Sequence, residues 1–143
     1  MVFTVNHHTD GWLIEGETSD RPAKMFLDNG AMVNVIGLMQ LNKIKPGVKV
    51  IEESPYSVLG LTGDLLNTLG STQLTVTMGG YFNFDIFAIV VEKPTFPGDL
   101  LIGFTTMRDQ DIIVSPADYG AYCFHKFIPI INSDATTESL AVV

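Results

Sequence analysis

The stretch from residue 74 to residue 91 contains the strongest folding signal in the chain. Leu74, Val76 and Met78 alternate with polar residues, which is the period of a half-buried β-strand. A Gly-Gly pair at 79–80 has the composition of a two-residue hairpin turn. Residues 81–91 return as an apolar strand whose phase shifts between Ile86 and Phe87, which predicts a bulge or burial on both faces. The sequence therefore predicts a long β-hairpin.

The rest of the chain repeats shorter versions of this signal. Further β-prone runs occupy residues 2–5, 12–14, 23–27, 33–36, 48–51, 100–102, 112–114 and 121–131. One helical turn is predicted at 38–41, and the only true helix is predicted at 103–108. Many short strands separated by regular turns are typical of a small β-barrel or a β-sandwich. The sequence thus predicts an all-β protein.

Length and charge limit the classes of function. The 143 residues suit one domain, which we assign to residues 1–131, with residues 132–143 as a flexible tail. The net charge of −8 and the scattered basic residues argue against nucleic acid or an anionic membrane as a partner. Cys123 is the only cysteine, so an internal disulfide is excluded. With no apolar membrane span and no signal pattern, we expect a soluble intracellular protein.

Two segments stand out for their chemistry. Residues 25–31, Met-Phe-Leu-Asp-Asn-Gly-Ala, run an apolar strand into a carboxylate and a tight turn. Residues 99–103, Asp-Leu-Leu-Ile-Gly, run a second apolar strand into a glycine before the predicted helix. Taken alone, Asp-Asn-Gly is an ordinary β-turn signal. The combination with the downstream segment favours a functional turn.

In their order and spacing these segments resemble the retropepsin family of retroviruses, retrotransposons and their cellular relatives. The family carries apolar-Asp-Thr/Ser-Gly-Ala, then a flexible flap hairpin, a long hairpin and an apolar-apolar-Gly motif before its helix. The likeness extends from about Leu13 to about Phe127. It implies a small closed β-barrel with one short C-terminal helix and a flap, working as a symmetric homodimer.

The resemblance also implies a site and a reaction. Asp28 would be the single catalytic carboxylate of each subunit, within the active-site turn formed with Asn29, Gly30 and Ala31. The paired aspartates would activate a water to cleave extended peptides or polyproteins, in the cytoplasm or within a virus-like particle, without a cofactor or metal. The flap and substrate groove would be formed by Val58, Leu59, Gly60, Leu61, Thr62, Gly63, Asp64 and Ile102. The subunits would meet through the N-terminal and closing strands, with contacts at Phe124 and Phe127.

Asn29 departs from the family pattern and keeps alternatives open. The family has Thr or Ser here, and its hydroxyl ties the two active-site turns together across the dimer axis. The Asn amide both donates and accepts hydrogen bonds, but it is bulkier and planar. One alternative is therefore a catalytically degenerate module that keeps the dimer and the groove for binding. A further alternative is an unrelated β-barrel binding protein.

The remaining polar and aromatic candidates have simpler interpretations. His7 and His8 lack further ligands at useful spacing for a metal. His125 is expected to be a structural histidine in a strand, and Cys123 a small buried hydrophobe. Asp64, Asp85 and Asp99 are expected to be turn residues. The barrel core is expected to contain Phe82, Phe84 and Phe87.

Overall fold

The structure is a computed structural model that describes residues 12–47, 58–59, 65–80 and 82–131. Its strands are β1 (Leu13–Thr18), β2 (Arg21–Asp28), β3 (Asn34–Gly37), β4 (Val58–Leu59), β5 (Leu65–Leu66), β6 (Thr68–Met78), β7 (Phe82–Val91), β8 (Leu100–Gly103), β9 (Ile112–Ser115), β10 (Gly120–Cys123) and β11 (Lys126–Pro129). Its helices are α1 (Leu38–Ile44), α2 (Phe104–Asp109) and a short 3-10 helix (Pro116–Asp118). No helix in these ranges is long and apolar enough to cross a membrane.

Six strands form a closed barrel in the order β1-β2-β8-β3-β7-β6. The pairs β2–β8 and β3–β7 are parallel, and the other neighbours are antiparallel. The long hairpin is β6–β7, in which Val76 lies opposite Phe84. The predicted all-β closed barrel is confirmed. Closure matters because it leaves these six strands without a free edge.

The burial of residues along β7 accounts for the shift in apolar phase between Ile86 and Phe87. Burial alternates up to Phe87, and from Ala88 to Val91 every residue is buried, so this half of the strand is covered on both faces. The register irregularity of the hairpin lies on β6, between Thr68 and Gly70. Phe87 was predicted to be core, and this is wrong. Its side chain is 62% exposed because it lies on the outward face, opposite Gln73.

The helices differ from the sequence prediction in number. Helix α2 begins one residue later than predicted, after the extended Gly103. The single predicted turn at 38–41 is instead a seven-residue helix, α1, so α2 is not the only helix. Leu41 and Ile44 are buried, three residues apart on one face of α1. Packing of this apolar face extends the helix beyond the turn that local sequence indicated.

The last part of the described chain forms a three-stranded sheet in the order β11-β10-β9. The prediction of one strand at 121–131 is wrong, because Phe124 and His125 have positive φ angles of 49° and 69° and reverse the chain between β10 and β11. The prediction of a structural strand histidine at 125 is also wrong, since this side chain is 90% exposed. Ile128 and Ala121 pair with each other and are buried in the same apolar cluster as the barrel interior.

Buried apolar residues form two clusters. The larger one fills the barrel and includes Leu27, Ile36, Leu100 and Ile102. The smaller one contains Val35, Ile89, Val91 and Leu101, with Phe26, Ala31, Val33 and Phe96 packed against it. Because strand side chains alternate between faces, neighbours such as Ile102 and Leu101 belong to different clusters. Val35, Ile89, Val91 and Leu101 are each at most 6% exposed, so this apolar outer patch of the barrel wall is itself covered from solvent.

Candidate active site

Asp28 is the last residue of β2 and lies opposite Gly103, the last residue of β8. Its half-buried carboxylate accepts a hydrogen bond at Oδ1 from the Gly30 backbone N–H, with an N···O distance of 2.9 Å. The Ala31 N–H donates to the Asp28 carbonyl at 3.1 Å. A carboxylate that accepts a local N–H has a fixed orientation at the end of a rigid strand. The tight turn predicted from Asp-Asn-Gly is therefore present.

Gly103 allows the loop after Asp28 to lie directly against the start of α2. A Cβ atom at Gly103 would lie 2.5 Å from the Val33 carbonyl oxygen and 2.8 Å from that of Ala31. The Phe104 N–H, which begins the helix, donates to the Ala31 carbonyl at 2.6 Å. Both of these atoms belong to the backbone and cannot move aside as a side chain could. The glycine of the apolar-apolar-Gly motif is therefore required for steric reasons. The two segments singled out in the sequence are thus packed against each other.

Asn34, at the start of β3, holds the other side of this junction. Its Oδ1 accepts the Gly103 N–H at 2.9 Å. Its Nδ2 donates to the Phe87 carbonyl at 2.9 Å and to the Thr106 hydroxyl at 2.8 Å. Sequence reasoning missed this residue. The available signal was a lone amide between valines in a strand, which is costly to bury unless it is fully hydrogen-bonded.

The apolar outer patch begins beside Asp28. Phe26 lies two residues before Asp28 in β2, so both side chains are on the same face of the strand. Phe26 lies opposite Leu101, Leu101 opposite Val35, and Val35 opposite Ile89. These four residues form an apolar row across β2, β8, β3 and β7. The row was also missed, since only tertiary register aligns residues so distant in the chain.

The residues predicted to form the flap and groove have mixed outcomes. Val58 and Leu59 form β4, which pairs with β5 as an antiparallel hairpin. The predicted tip, Gly60, Leu61, Thr62, Gly63 and Asp64, lies outside the described residues. Ile102 is fully buried in the barrel interior, so its assignment to the groove is wrong. The register explains the error, because the neighbouring Leu101 faces the side of Phe26 and Asp28.

The rest of the turn is accessible. Asn29 and Gly30 are exposed, whereas Ala31 is half-buried against the outer apolar cluster. Two large apolar side chains nearby are exposed: Met32 by 64% and Phe104 by 39%. Within the described residues, no group of three His, Cys, Asp or Glu side chains is arranged to hold a metal ion.

Other polar candidates lie apart from Asp28. Asp99 precedes β8, at the opposite end of that strand from Gly103, and its carboxylate accepts the Lys24 N–H at 2.8 Å. Asp85 is an exposed residue within β7 that accepts from the Thr75 hydroxyl, so the prediction of a turn is wrong for it. Cys123 is buried as predicted. Burial, with a smaller contribution from the Asp111 charge, raises the pKa of its thiol to about 11.

Solved structures with a similar fold include two protease or protease-like domains. The retroviral protease-like domain of Ddi1 from Leishmania major has a TM-score of 0.64 at 15% identity, over 88% of this chain and 94% of that one. EIAV protease, complexed with the inhibitor HBY-793, has a TM-score of 0.59 at 18% identity, over 80% of this chain and 99% of that one. No protein-family model and no curated protein sequence matches this chain. The barrel order and these two likenesses show that the chain has the retropepsin-like fold.

Proposed function

We propose that this chain is an aspartic endopeptidase that acts as a symmetric homodimer. The observation that carries the proposal is the position of Asp28. A half-buried carboxylate lies at the end of β2, oriented by the Gly30 N–H and packed beside the close contact at Gly103. The retropepsin-like fold supports the same assignment, because both structural neighbours are protease or protease-like domains.

The chemistry requires a second carboxylate, which a two-fold axis would supply. A water is activated when one carboxylate accepts its proton while the other, protonated, polarises the peptide carbonyl. Two such groups at close range cannot both ionise cheaply, so they share a proton. Asn29 and Gly30 are exposed beside Asp28, and the apolar Met32 and Phe104 are also accessible. An exposed apolar surface around a lone catalytic carboxylate suits contact with a second copy.

The substrate in this proposal is an extended peptide with bulky apolar side chains. The half-buried Phe26 lies two residues from Asp28 on the same face of the barrel wall, and the buried Leu101 and Val35 continue the apolar row from it. An extended peptide presents alternate side chains to such a surface. The β4–β5 hairpin would form the base of a flap that closes over the peptide and excludes water.

The second candidate function is a binding module without catalysis. Asn29 favours it, because a planar amide replaces the small hydroxyl expected at the dimer axis. In this case the apolar row and the dimer would be kept for peptide binding. HBY-793, the inhibitor bound by EIAV protease, is a suitable probe, since binding to the groove does not require turnover.

The test is cleavage of a degenerate peptide library, followed by mass spectrometry from about pH 4 to pH 7. Asp28→Asn removes the proposed catalytic carboxylate. Asp85→Asn is the matched control, because it removes an exposed carboxylate from β7 that has no part in the site. The proposal expects cleavage by the wild type and by Asp85→Asn, and none by Asp28→Asn.

Other outcomes decide between the candidates. A dimeric wild type that binds HBY-793 without cleaving any peptide would support the binding module. Cleavage that persists in Asp28→Asn would exclude an aspartic mechanism at this site. A protein that stays monomeric at high concentration and binds neither peptide nor inhibitor would contradict both candidates.

A further inference from the structure

Asn34 has more hydrogen bonds than any other side chain for which contacts are described near the site. It is 6% exposed, and its amide makes three hydrogen bonds of 2.8–2.9 Å. The partners belong to three elements: the N–H of Gly103 in β8, the carbonyl of Phe87 in β7 and the hydroxyl of Thr106 in α2. Both ends of this amide are therefore occupied, and one side chain links β3 to the elements around it.

The bond to Gly103 is the one that concerns Asp28. Gly103 lies opposite Asp28, and the carbonyl oxygens of Ala31 and Val33 occupy the space that a Cβ atom at Gly103 would need. Its buried N–H has Asn34 Oδ1 as its hydrogen-bond acceptor. Without that acceptor, a buried N–H would be left unpaired, and this cost would favour movement of the junction. The loop after Asp28 would move with it, because the loop is bonded to Phe104 as well.

We propose that Asn34 is a positioning residue, which fixes the loop between Asp28 and β3 against the β8–α2 junction and so sets the orientation of the catalytic carboxylate. This inference rests on the proposed function. The described hydrogen bonds of Asn34 do not include Asp28, so Asn34 acts through the Gly103 N–H. Its role is therefore to hold geometry that catalysis uses.

The residue type follows from the hydrogen-bond requirements. The site needs one acceptor, for Gly103, and donors for the Phe87 carbonyl and Thr106. Asn carries both kinds of group on one short planar amide. Asp keeps the acceptor and places a second oxygen against the Phe87 carbonyl. Leu has the same branching as Asn but is larger, and it provides no hydrogen bond.

The variants for the test are Asn34→Asp and Asn34→Leu. Val76→Ala is the control for general destabilisation, because Val76 is fully buried in β6, away from Asp28. Asn67→Ala is the control for loss of an amide, since Asn67 makes an exposed side-chain hydrogen bond to Glu92. Thermal unfolding of each variant is measured first, and kinetics are then compared at a temperature where all four remain folded.

The first readout does not depend on activity. Hydrogen exchange by NMR reports the protection of the Gly103 and Phe104 amides. We expect Asn34→Leu to lose protection at both amides. In Val76→Ala and Asn67→Ala, the protection of these two amides should fall by no more than the global free energy of unfolding does. Unchanged protection in Asn34→Leu would overturn the proposal. A wild type without peptidase activity would count against the proposed function, and this readout would still decide the role of Asn34 in holding the loop.

The second readout is the split between kcat and KM. A displacement of the carboxylate by about 1 Å costs on the order of 100-fold in rate, so we expect kcat of Asn34→Leu to fall about 100-fold with little change in KM. For Asn34→Asp, burial raises the pKa of the new carboxyl, and the protonated acid can donate again. Its kcat relative to wild type should therefore rise as the pH falls. A loss of kcat in Val76→Ala equal to that in Asn34→Leu would contradict positioning.

Discussion

Asp28 and Gly103 lie opposite each other where the parallel strands β2 and β8 end. The pairing puts the carboxylate of Asp28 beside a position where the carbonyls of the following loop leave no room for a Cβ atom. Two motifs separated by nearly half of the chain thereby become one structural unit. The geometry of the turn depends on β8 as much as on its own sequence.

Gly103→Ala should damage both stability and activity. Its Cβ would meet the carbonyl oxygens of Val33 and Ala31 at 2.5 Å and 2.8 Å, and backbone atoms cannot rotate away. We expect a loss of about 1–3 kcal/mol in the free energy of unfolding, as for other overpacked sites. Gly30→Ala is the matched control, because its Cβ would meet only the Asp28 Oδ1, at 3.2 Å. Denaturant unfolding of the two variants checks this, and equal stability would contradict the steric account.

Leu100 and Leu101 should respond differently to truncation. Leu100 is fully buried in the barrel interior, so Leu100→Ala should cost about 2–5 kcal/mol of stability. Leu101 is also buried, at 6% exposure, but it belongs to the apolar row on the side of Asp28, so Leu101→Ala should lower stability and in addition alter which apolar side chains are accepted beside the cleaved bond. The measurement is cleavage-site profiling of a peptide library with chemical unfolding in parallel. An unchanged cleavage profile in Leu101→Ala would show that the apolar row does not contribute to substrate binding.

Asn29→Thr should strengthen the proposed dimer. The hydroxyl of Thr is smaller than the Asn amide, and it restores the group that the family resemblance implies at the dimer axis. Asn29 is exposed in the chain, so the substitution should leave the stability of the barrel unchanged. Sedimentation over a range of concentrations measures the dissociation constant, which we expect to decrease several-fold. A weaker dimer in Asn29→Thr would mean that Asn29 is itself the preferred contact.

Cys123 should be unreactive in the folded protein and should make stability sensitive to alkaline pH. Burial and the Asp111 charge raise the pKa of the thiol to about 11, above its value in the unfolded chain. The stabilising contribution is complete below the unfolded pKa and is lost as the pH rises towards 11. Cys123→Ala should remove this contribution to the dependence of the free energy of unfolding on pH. Unfolding of the wild type and the variant over a range of pH measures it. Rapid labelling of folded wild type by a thiol reagent at neutral pH would contradict the burial of the thiol.

Local sequence determined the elements whose signals are contained in a few neighbouring residues. The alternation at Leu74, Val76 and Met78 specified the β6–β7 hairpin, whereas the prediction of a two-residue turn is wrong, because Met78 pairs with Phe82 and leaves three residues between them. Asp28, Asn29 and Gly30 specified a tight turn after an apolar strand. These signals are reliable because strand alternation and turn geometry depend on residues close in the chain.

Only the tertiary structure decided which face each strand residue occupies and which distant residues meet. The sequence placed Ile102 in the groove, whereas the register of β8 puts Ile102 inside the barrel and Leu101 on the side of Phe26 and Asp28. A shift of one residue exchanges the two faces of a strand, and register is set by pairing with other strands. The hydrogen bonds of Asn34 likewise need β3, β7, β8 and α2 to be in place together. Composition and local pattern determined the strands, and long-range pairing assembled the site from them.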